Sequence, residues 1–134
     1  MKIALITDTH FGARNDSLPF NEYFYKFWEE IFFPIIDKKG IDTIIHLGDT
    51  MDRRKFVSYK IANDFRTRFI QPLVDRKIDT HILIGNHDTY YKNTNEVNSL
   101  AELVGNKYDN IKFYEENCTV NFGNVPIFFC PWIN

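Results

Sequence analysis

Four side chains with the chemistry of metal ligands each follow a short apolar run in the sequence: Asp8, His10, Asp49 and Asn86. The apolar runs span residues 3–7, 43–47 and 81–84. Carboxylate, imidazole and amide groups all bind divalent cations such as Mn²⁺, Fe²⁺ or Zn²⁺. In an open α/β sheet, ligands bind in the crevice outside the carboxyl ends of the strands. The sequence therefore predicts that these four side chains meet at one metal site.

A pair of divalent cations at such a site would favour phosphoryl transfer. Two cations about 3.5–4 Å apart can stabilise both the attacking and the leaving oxygen of a phosphoryl displacement. Asp49 belongs to the middle motif, and we interpret it as the bridging ligand. His87 directly follows Asn86, so we expect it to face the substrate and to protonate the leaving alkoxide, while Asp88 orients its ring. The predicted chemistry is metal-dependent hydrolysis of a phosphoester.

The segments around these motifs predict an α/β fold. Helical three-four spacing predicts helices over residues 20–39 and 57–76, bent at Pro34 and Pro72, and a shorter helix over residues 97–104. Strands are expected at residues 2–7, 42–47 and 81–84, followed by three short strands at residues 111–114, 119–122 and 126–130. The βαβαβ order predicts a layered, predominantly parallel sheet with right-handed crossovers. The near-continuous apolar character of the first strand predicts that both of its faces are covered.

Apolar residues recur along the first predicted helix at core-like spacing: Phe20, Tyr23, Phe24, Phe27, Trp28, Ile31, Phe32, Ile35 and Ile36. We interpret this stripe as core, although a partner surface is the alternative. The two histidines outside the motifs, His46 and His81, lie inside predicted strands. We expect both to be packed structural imidazoles rather than metal ligands.

The order and spacing of Asp-x-His, Gly-Asp-x-x-Asp and Gly-Asn-His-Asp resemble the calcineurin-like metallophosphoesterase superfamily. Within it, the chain is similar to the SbcD-type nuclease subunits of double-strand-break repair complexes, and among these to the recombination endonuclease subunits of tailed phages. The closer similarity lies in residues 8–12, 48–55, 85–88, 91–93 and 131–132. The resemblance spans the whole chain.

This resemblance implies roles for the motif residues. Asp8 and His10 would hold the first of two divalent metal ions, Asp49 both, and Asn86 the second, while His87 would protonate the transition state. The ions implied are most often Mn²⁺, with Mg²⁺, Fe²⁺ or Zn²⁺ as alternatives. The implied partners are DNA, an ATPase subunit of the SbcC type and a second copy of the chain. The dimer contact would use the helices after the second and third motifs, over residues 57–76 and 97–104. Because one face of these helices must cover the sheet, we expect only residues off that face, such as Tyr59, Phe69 or Ile70, to be free to pair.

The sequence departs from the family pattern in one respect. A later lone histidine and a Gly-His-x-His motif complete both metal shells in the family, and this chain contains neither. We therefore expect residues 1–134 to be the N-terminal part of a single nuclease domain that is inactive by itself. Alternatives are a small-molecule phosphomonoesterase or cyclic-nucleotide phosphodiesterase of the same superfamily, and a non-catalytic fragment.

Basic and aromatic residues near the motifs are candidate substrate contacts. Arg53 and Arg54 could form a phosphate-binding rim, because the guanidinium group binds phosphate oxygens with two parallel hydrogen bonds. A solvated loop before a helix explains them nearly as well. Arg14 and Lys92 are weaker candidates of the same kind. The pair Tyr90–Tyr91 could stack on unpaired bases or pack on the edge of the sheet.

Bulk properties exclude some classes of function. A net charge of −2 gives no global attraction to nucleic acid or membrane, so an anionic substrate must be captured locally. Cys118 and Cys130 form no disulfide framework or Cys-x-x-Cys motif, which is typical of a reducing compartment. No apolar run is long enough for a membrane span or a secretory signal, so we expect a cytoplasmic protein without a membrane partner.

Overall fold

A four-stranded parallel sheet carries the three motif loops at its carboxyl ends. The structure, a computed structural model, describes residues 1–133. The strands follow the order β1-β2-β3-β4 and are β1 (Ile3–Ile6), β2 (Thr43–His46), β3 (Asp79–Leu83) and β4 (Ile111–Tyr114). Ile6 pairs with His46, and His46 with Ile82, so β1, β2 and β3 end at one level. The predicted parallel α/β fold is confirmed, and β4 extends the same sheet.

Two long helices follow β1 and β2, and each contains a π-helical turn before a proline. Helix α1 consists of Leu18–Phe27, the π-helical segment Trp28–Phe32 and Phe33–Lys39. Helix α2 consists of Tyr59–Asp64, the π-helical segment Phe65–Ile70 and Gln71–Asp75. A proline has no N–H and its ring crowds the preceding turn, which a wider π turn accommodates. A short helix, α3 (Ser99–Leu103), follows the third motif.

The core between the helices and the sheet is rich in aromatic side chains. Phe11, which follows the first motif, is 4% exposed and lies between α1 and α2. Its ring centroid is 4.9–6.0 Å from four other buried rings, those of Tyr25, Trp28, Phe65 and Phe69. Trp28, Phe65 and Phe69 belong to the two π-helical segments. The wide turns of both helices therefore surround the residue that follows the first motif.

The aromatic stripe predicted as core in α1 is only partly buried, which corrects that interpretation. Trp28 and Ile36 are buried, together with Tyr25 and Phe33, which were not in the predicted stripe. Four members of the stripe instead remain 44–75% exposed: Tyr23, Phe27, Ile31 and Ile35. Apolar residues occupy more than one face of this helix, and periodicity alone does not determine which face meets the sheet. Trp28 packs against Phe11 and Phe69, so the face of α1 that carries Trp28 is the one that meets the core.

Leu5 remains 67% exposed, so the expectation that both faces of β1 are covered is wrong. Among residues 1–133, β1 is also an edge strand, which pairs with β2 alone. A separate antiparallel hairpin, β5 (Cys118–Phe122) and β6 (Val125–Phe129), packs against Ile45 and Leu83 on the face opposite the long helices. No helix among residues 1–133 is long and apolar enough to cross a membrane.

His81 lies under this hairpin as a structural imidazole, as predicted. It is 2% exposed, with the rings of Phe122 and Phe129 beside it. Its Nδ1 is 2.7 Å from the Tyr114 hydroxyl and its Nε2 is 2.9 Å from an oxygen of Asp79. Burial raises the pKa of the Tyr114 hydroxyl to about 12. Both ring nitrogens of His81 are therefore occupied at a distance from the motif loops.

Candidate metal centre

The first and second motif loops run side by side beyond the ends of their strands. The amide of Asp8 donates to the carbonyl of Gly48 at 3.0 Å, and that of His10 to the carbonyl of Asp49 at 3.1 Å. Asp8, His10 and Asp49 all have left-handed backbone conformations, with φ of 53°, 45° and 55°. Non-glycine residues rarely adopt this conformation, and such strain concentrates at functional sites. The hydrogen bonds between the loops maintain it here.

Two glycines allow the second and third loops to meet. A Cβ atom on Gly85 would lie 2.2 Å from the amide nitrogen of Asp49, and one on Gly48 would lie 2.9 Å from the Cα of Gly85. Real Cβ atoms do not approach so closely, so any side chain at either position would separate the loops. This contact places Asn86, the residue after Gly85, beside Asp49.

The four predicted metal-binding residues lie together in the structure. Nε2 of His10 is 3.4 Å from an oxygen of Asp8 and 3.9 Å from Oδ2 of Asp49. In its hydrogen-bonded orientation, the amide of Asn86 donates to both carboxylate oxygens of Asp49 at 3.1 Å. A half-turn of that amide would present its oxygen to the same point, as metal binding requires. His10, Asp49 and His87 also offer ligand atoms within 4.8 Å of one another.

These spacings fit a divalent cation. Two ligand atoms that each lie about 2.1 Å from one ion are separated by about 3–4 Å. The separations around His10, Asp8 and Asp49 fall in this range. Hydrogen bonding from Thr7 lowers the pKa of Asp8 against a smaller opposing effect of burial, so this carboxylate is charged at neutral pH. The donor set therefore has the charge and the geometry that a first-row divalent ion needs.

Asp52, which was not among the predicted site residues, contacts both histidines of the site. Its Oδ1 lies 3.2 Å from Nδ1 of His10, and its backbone carbonyl accepts from Nδ1 of His87 at 2.6 Å. Nδ1 of His10 lies 3.2 Å from Oδ1 without making a hydrogen bond. Nδ1 of each histidine therefore faces Asp52, which leaves Nε2 of each ring for chemistry. The second Asp of Gly-Asp-x-x-Asp was the available sequence signal.

His87 lies beside the four predicted ligands and is held to them by its backbone. Its ring is perpendicular to that of His10, with the centroids 4.8 Å apart. Its backbone amide donates to Oδ1 of Asp49 at 2.9 Å. The carbonyl of Asp52 accepts a hydrogen bond from Nδ1–H of His87. Nε2 is therefore the ring atom that can exchange a proton with a substrate.

Asp88 does not orient His87, which corrects the predicted pairing. Its carboxylate is 1% exposed and accepts from the backbone amides of Gly85 and Met51, each at 2.9 Å. Burial raises the pKa of Asp88 to about 6, against the smaller opposing effect of these amide donors. Asp88 thus ties the third loop to the second. Its short side chain reaches the backbone amides of Gly85 and Met51 rather than the ring of His87.

His46 is buried, as predicted, and also contributes to the frame of the site. The amide of Gly48 donates to its Nδ1 at 3.1 Å, so the proton of the neutral ring is on Nε2. Nε2 then donates to the hydroxyl of Thr9 at 2.9 Å, and Thr9 donates to the carbonyl of Thr50 at 3.1 Å. Burial lowers the pKa of His46 to about 4. A neutral imidazole therefore links the first and second loops.

The two arginines predicted as a phosphate rim bind neighbouring loops, in opposite directions. Arg53 donates to Asn15 at 2.8 Å and to Asp16 at 3.3 Å in the first loop. Arg54 donates to the carbonyl and hydroxyl of Thr89, at 3.1 and 3.0 Å, and to a further carbonyl in the third loop. Protein acceptors take some of the N–H donors of both guanidinium groups, and the phosphate contact of Arg53 and Arg54 stays a prediction.

The remaining predicted substrate contacts lie at the surface. Arg14 and Lys92 are exposed, and the guanidinium of Arg14 lies 4.6 Å from the ring centroid of Phe20. Tyr90 and Tyr91 are 40% and 51% exposed, with their ring centroids 4.8 Å apart. None of these four residues is in the lining of the cleft that contains Asp8, Asp49 and Asn86.

Comparisons with known proteins agree with this geometry. A family model described as calcineurin-like phosphoesterase matches residues 1–133. The chain is also similar to exonuclease subunit 1 of enterobacteria phage T4, with 35% identity over 136 residues. The alignment covers 99% of this chain, which spans 38% of the length of that curated relative.

Proposed function

Because this chain belongs to the calcineurin-like phosphoesterase family, we propose that the full-length protein hydrolyses DNA phosphodiester bonds with two divalent cations, as an exo- or endonuclease subunit. The observation that carries this proposal is the convergence of Asp8, His10, Asp49 and Asn86 at one end of the sheet. Similarity to an exonuclease subunit supports DNA as the substrate. We propose Mn²⁺ as the working ion, with Mg²⁺, Fe²⁺ or Zn²⁺ as substitutes.

The residues of the site divide into ligands and a proton donor. Asp8, His10 and Asp49 would hold the first cation, and Asp49 and Asn86 the second. When bound, the ions polarise the phosphate and lower the pKa of the attacking water. His87 keeps Nδ1 on the carbonyl of Asp52 and delivers a proton from Nε2 to the leaving alkoxide.

The proposed partners of the full-length protein follow from its relatives. A subunit of a nuclease requires other chains, and we propose an ATPase subunit of the SbcC type, with a role in DNA recombination and repair in a phage. We also propose a cytoplasmic location and a homodimer. The exposed residues Phe56, Tyr59 and Val97, at the starts of the second and third helical regions, supply an apolar surface for that dimer.

We propose further that residues 1–134 are the N-terminal part of one nuclease domain and have little activity alone. The unpaired edge of β1 and the exposed side chain of Leu5 support this proposal, since a further part of the domain would cover them. The predicted ligands would also fill only some of the coordination positions of each cation, and water would fill the others. Metal sites with few protein ligands bind weakly.

A hydrolysis assay tests the proposed function. The full-length protein with Mn²⁺ should degrade linear DNA, and Asp49→Ala should abolish this activity, because a bridging carboxylate serves both cations. His87→Ala should retain Mn²⁺ affinity in calorimetry and lose turnover. Cleavage of small phosphate esters without cleavage of DNA would favour the phosphomonoesterase or cyclic-nucleotide phosphodiesterase alternative. Wild-type activity in Asp49→Ala would contradict the two-metal assignment.

A test of the isolated chain completes the assay. Residues 1–134 should show no useful nuclease activity, and addition of the remaining part of the domain in trans should raise both Mn²⁺ affinity and hydrolysis. Robust Mn²⁺-dependent cleavage by the purified 134-residue chain would refute the proposal of an incomplete site.

A further inference from the structure

A cleft of about 210 Å³ includes three of the predicted metal-binding residues in its lining. These polar lining residues are Asp8, Asp49 and Asn86. The less polar lining residues are Leu47, Ile84, Cys130 and Trp132. The backbones of Gly48 and Gly85 also line the cleft. A ligand that fills it must present an anionic or metal-binding group to the polar residues and a flat or apolar group to the less polar ones.

The backbone of Trp132 is tied to the strand end that carries Asn86. Trp132 is 51% exposed, while Pro131 before it is buried. The amide of Trp132 donates to the carbonyl of Ile84 at 2.9 Å, and the side-chain amide of Asn95 donates to the carbonyl of Ile133 at 2.7 Å. A large exposed aromatic residue on such a backbone, in the lining of a polar cleft, is suited to ligand contact.

A nucleotide has the two kinds of chemical group that this cleft requires. Its phosphate fits the polar residues Asp8, Asp49 and Asn86, and its base has a flat π-surface that stacks on aromatic side chains. Such stacking tolerates all four bases, which suits a nuclease without a strict sequence preference. A small aliphatic phosphate ester would leave the indole uncovered.

We infer that Trp132 stacks against a nucleobase next to the phosphate held at the metal centre, and so makes the site selective for nucleic acid over simple phosphate esters. This inference rests on the proposed function, because it concerns the substrate of the same site. It assigns a substrate contact to a residue outside the three motif loops. It also places the base-binding surface in the cleft rather than on Tyr90 and Tyr91.

Tryptophan fluorescence provides a direct test. The protein has two tryptophans, Trp132 and the buried Trp28, so the Trp132 signal is the difference between the parent protein and Trp132→Leu. The probes are a hexathymidylate and an abasic deoxyribose-phosphate oligomer of equal length, both with Mg²⁺. The hexathymidylate should quench the Trp132 emission, and the abasic oligomer should not.

Affinity measurements on variants provide the second arm. Trp132→Leu should weaken binding of hexathymidylate by about fivefold or more and leave binding of the abasic oligomer unchanged. Trp132→Phe should retain most of the affinity. Phe128→Leu is the matched control, since Phe128 is 62% exposed and does not line the cleft. If Trp132→Leu fails to fold by circular dichroism, Trp132→Phe replaces it as the reference for the difference spectrum, and base-dependent quenching of that difference still tests the stacking contact.

The outcomes separate this inference from the proposed function. Equal quenching by both probes, or no quenching by either, would overturn the stacking role. DNA hydrolysis without quenching of Trp132 would support the nuclease and reject the stacking contact. Base-dependent quenching without hydrolysis would support the stacking contact and reject the nuclease.

Discussion

Individual residues of this site serve two neighbours at once, and Asp52 shows this most clearly. Its side chain faces Nδ1 of His10, and its carbonyl accepts from Nδ1 of His87. A metal-binding histidine usually has such a partner on its second nitrogen, which fixes the ring orientation and raises its basicity. One residue therefore contacts both the predicted metal ligand His10 and the predicted proton donor His87.

Removal of the Asp52 carboxylate should weaken metal binding while leaving the His87 contact in place. In the full-length protein, we expect Asp52→Ala to lower Mn²⁺ affinity about 10- to 100-fold, as for other partners of metal-binding histidines. Asp52→Asn should lower it less, because an amide oxygen remains. Isothermal titration calorimetry measures the affinity, and the exposed Asp75→Ala is the control. Unchanged affinity in Asp52→Ala would reject this role.

The buried imidazole of His46 should make the stability of the fold depend on pH. Burial lowers its pKa from the usual 6.5 to about 4. The unfolded chain therefore binds more protons than the folded chain between these values, so this stabilisation is complete above about pH 6.5 and is lost as the pH falls toward 4. The loss should reach about 3 kcal/mol, at about 1.4 kcal/mol per pKa unit.

A variant isolates this effect. Asp88, whose pKa is raised to about 6, changes the pH dependence of stability in the opposite direction. Its stabilisation of the fold is lost as the pH rises from about 4 to 6. The comparison is therefore between His46→Gln and the parent protein, by urea unfolding at pH 4.5 and 7. The parent should lose more stability than the variant on acidification. Parallel losses would show that His46 does not titrate in this window.

At the scale of elements, the two long helices position the first motif loop through Phe11. The π-helical segments of α1 and α2 surround its ring, and Phe11 follows the predicted ligand His10. π-Helical turns are frequent near functional sites. The helices thus influence the metal centre without contributing a ligand to it.

Truncation of this ring should destabilise the fold and loosen the first loop. We expect Phe11→Ala to lower the free energy of unfolding by about 3–5 kcal/mol, since it leaves a cavity among packed rings. Phe128→Ala, at a 62% exposed position, should change it by less than about 0.5 kcal/mol. Urea denaturation measures both. A loss below about 1 kcal/mol for Phe11→Ala would mean that the ring does not anchor the loop.

At the scale of the whole molecule, burial restricts the surface available for the proposed dimer. Phe69 and Ile70 were expected to be free to pair, but both are 1% exposed, because this turn of α2 packs inward. Tyr59 is 95% exposed, as expected, and Phe56 is 63% exposed. Tyr59 is the first residue of α2, and Phe56, which precedes the helix, lines a cleft together with Val97. We propose these exposed residues as the dimer surface.

A charge on this surface should prevent association. In sedimentation velocity, the parent protein should form a dimer at high concentration, and Phe56→Asp combined with Tyr59→Asp should be monomeric. Tyr23→Asp is the matched control, because Tyr23 is 75% exposed on α1, a different helix. A parent protein that remains monomeric at every concentration, or a dimer that Tyr23→Asp abolishes, would contradict the proposed surface.

The sequence by itself determined the order of the elements and the identity of the predicted ligands. Apolar runs followed by Asp8, Asp49 and Asn86 are local patterns, and parallel strands bring their carboxyl ends together whatever the details of packing. The same is true of the two long helices, whose spacing is visible without any knowledge of their neighbours. The parallel sheet and the positions of these side chains could therefore be predicted.

Only the tertiary structure determined which hydrogen-bond partner each polar side chain has. Asp88 is adjacent to His87 in sequence but accepts backbone amides of two loops, and Arg53 and Arg54 bind opposite loops although they are consecutive. Periodicity likewise could not determine which face of α1 meets the core, since apolar residues lie on more than one face. Hydrogen bonds and buried faces depend on distances between segments that are far apart in sequence, and the chain sets these distances only when it folds.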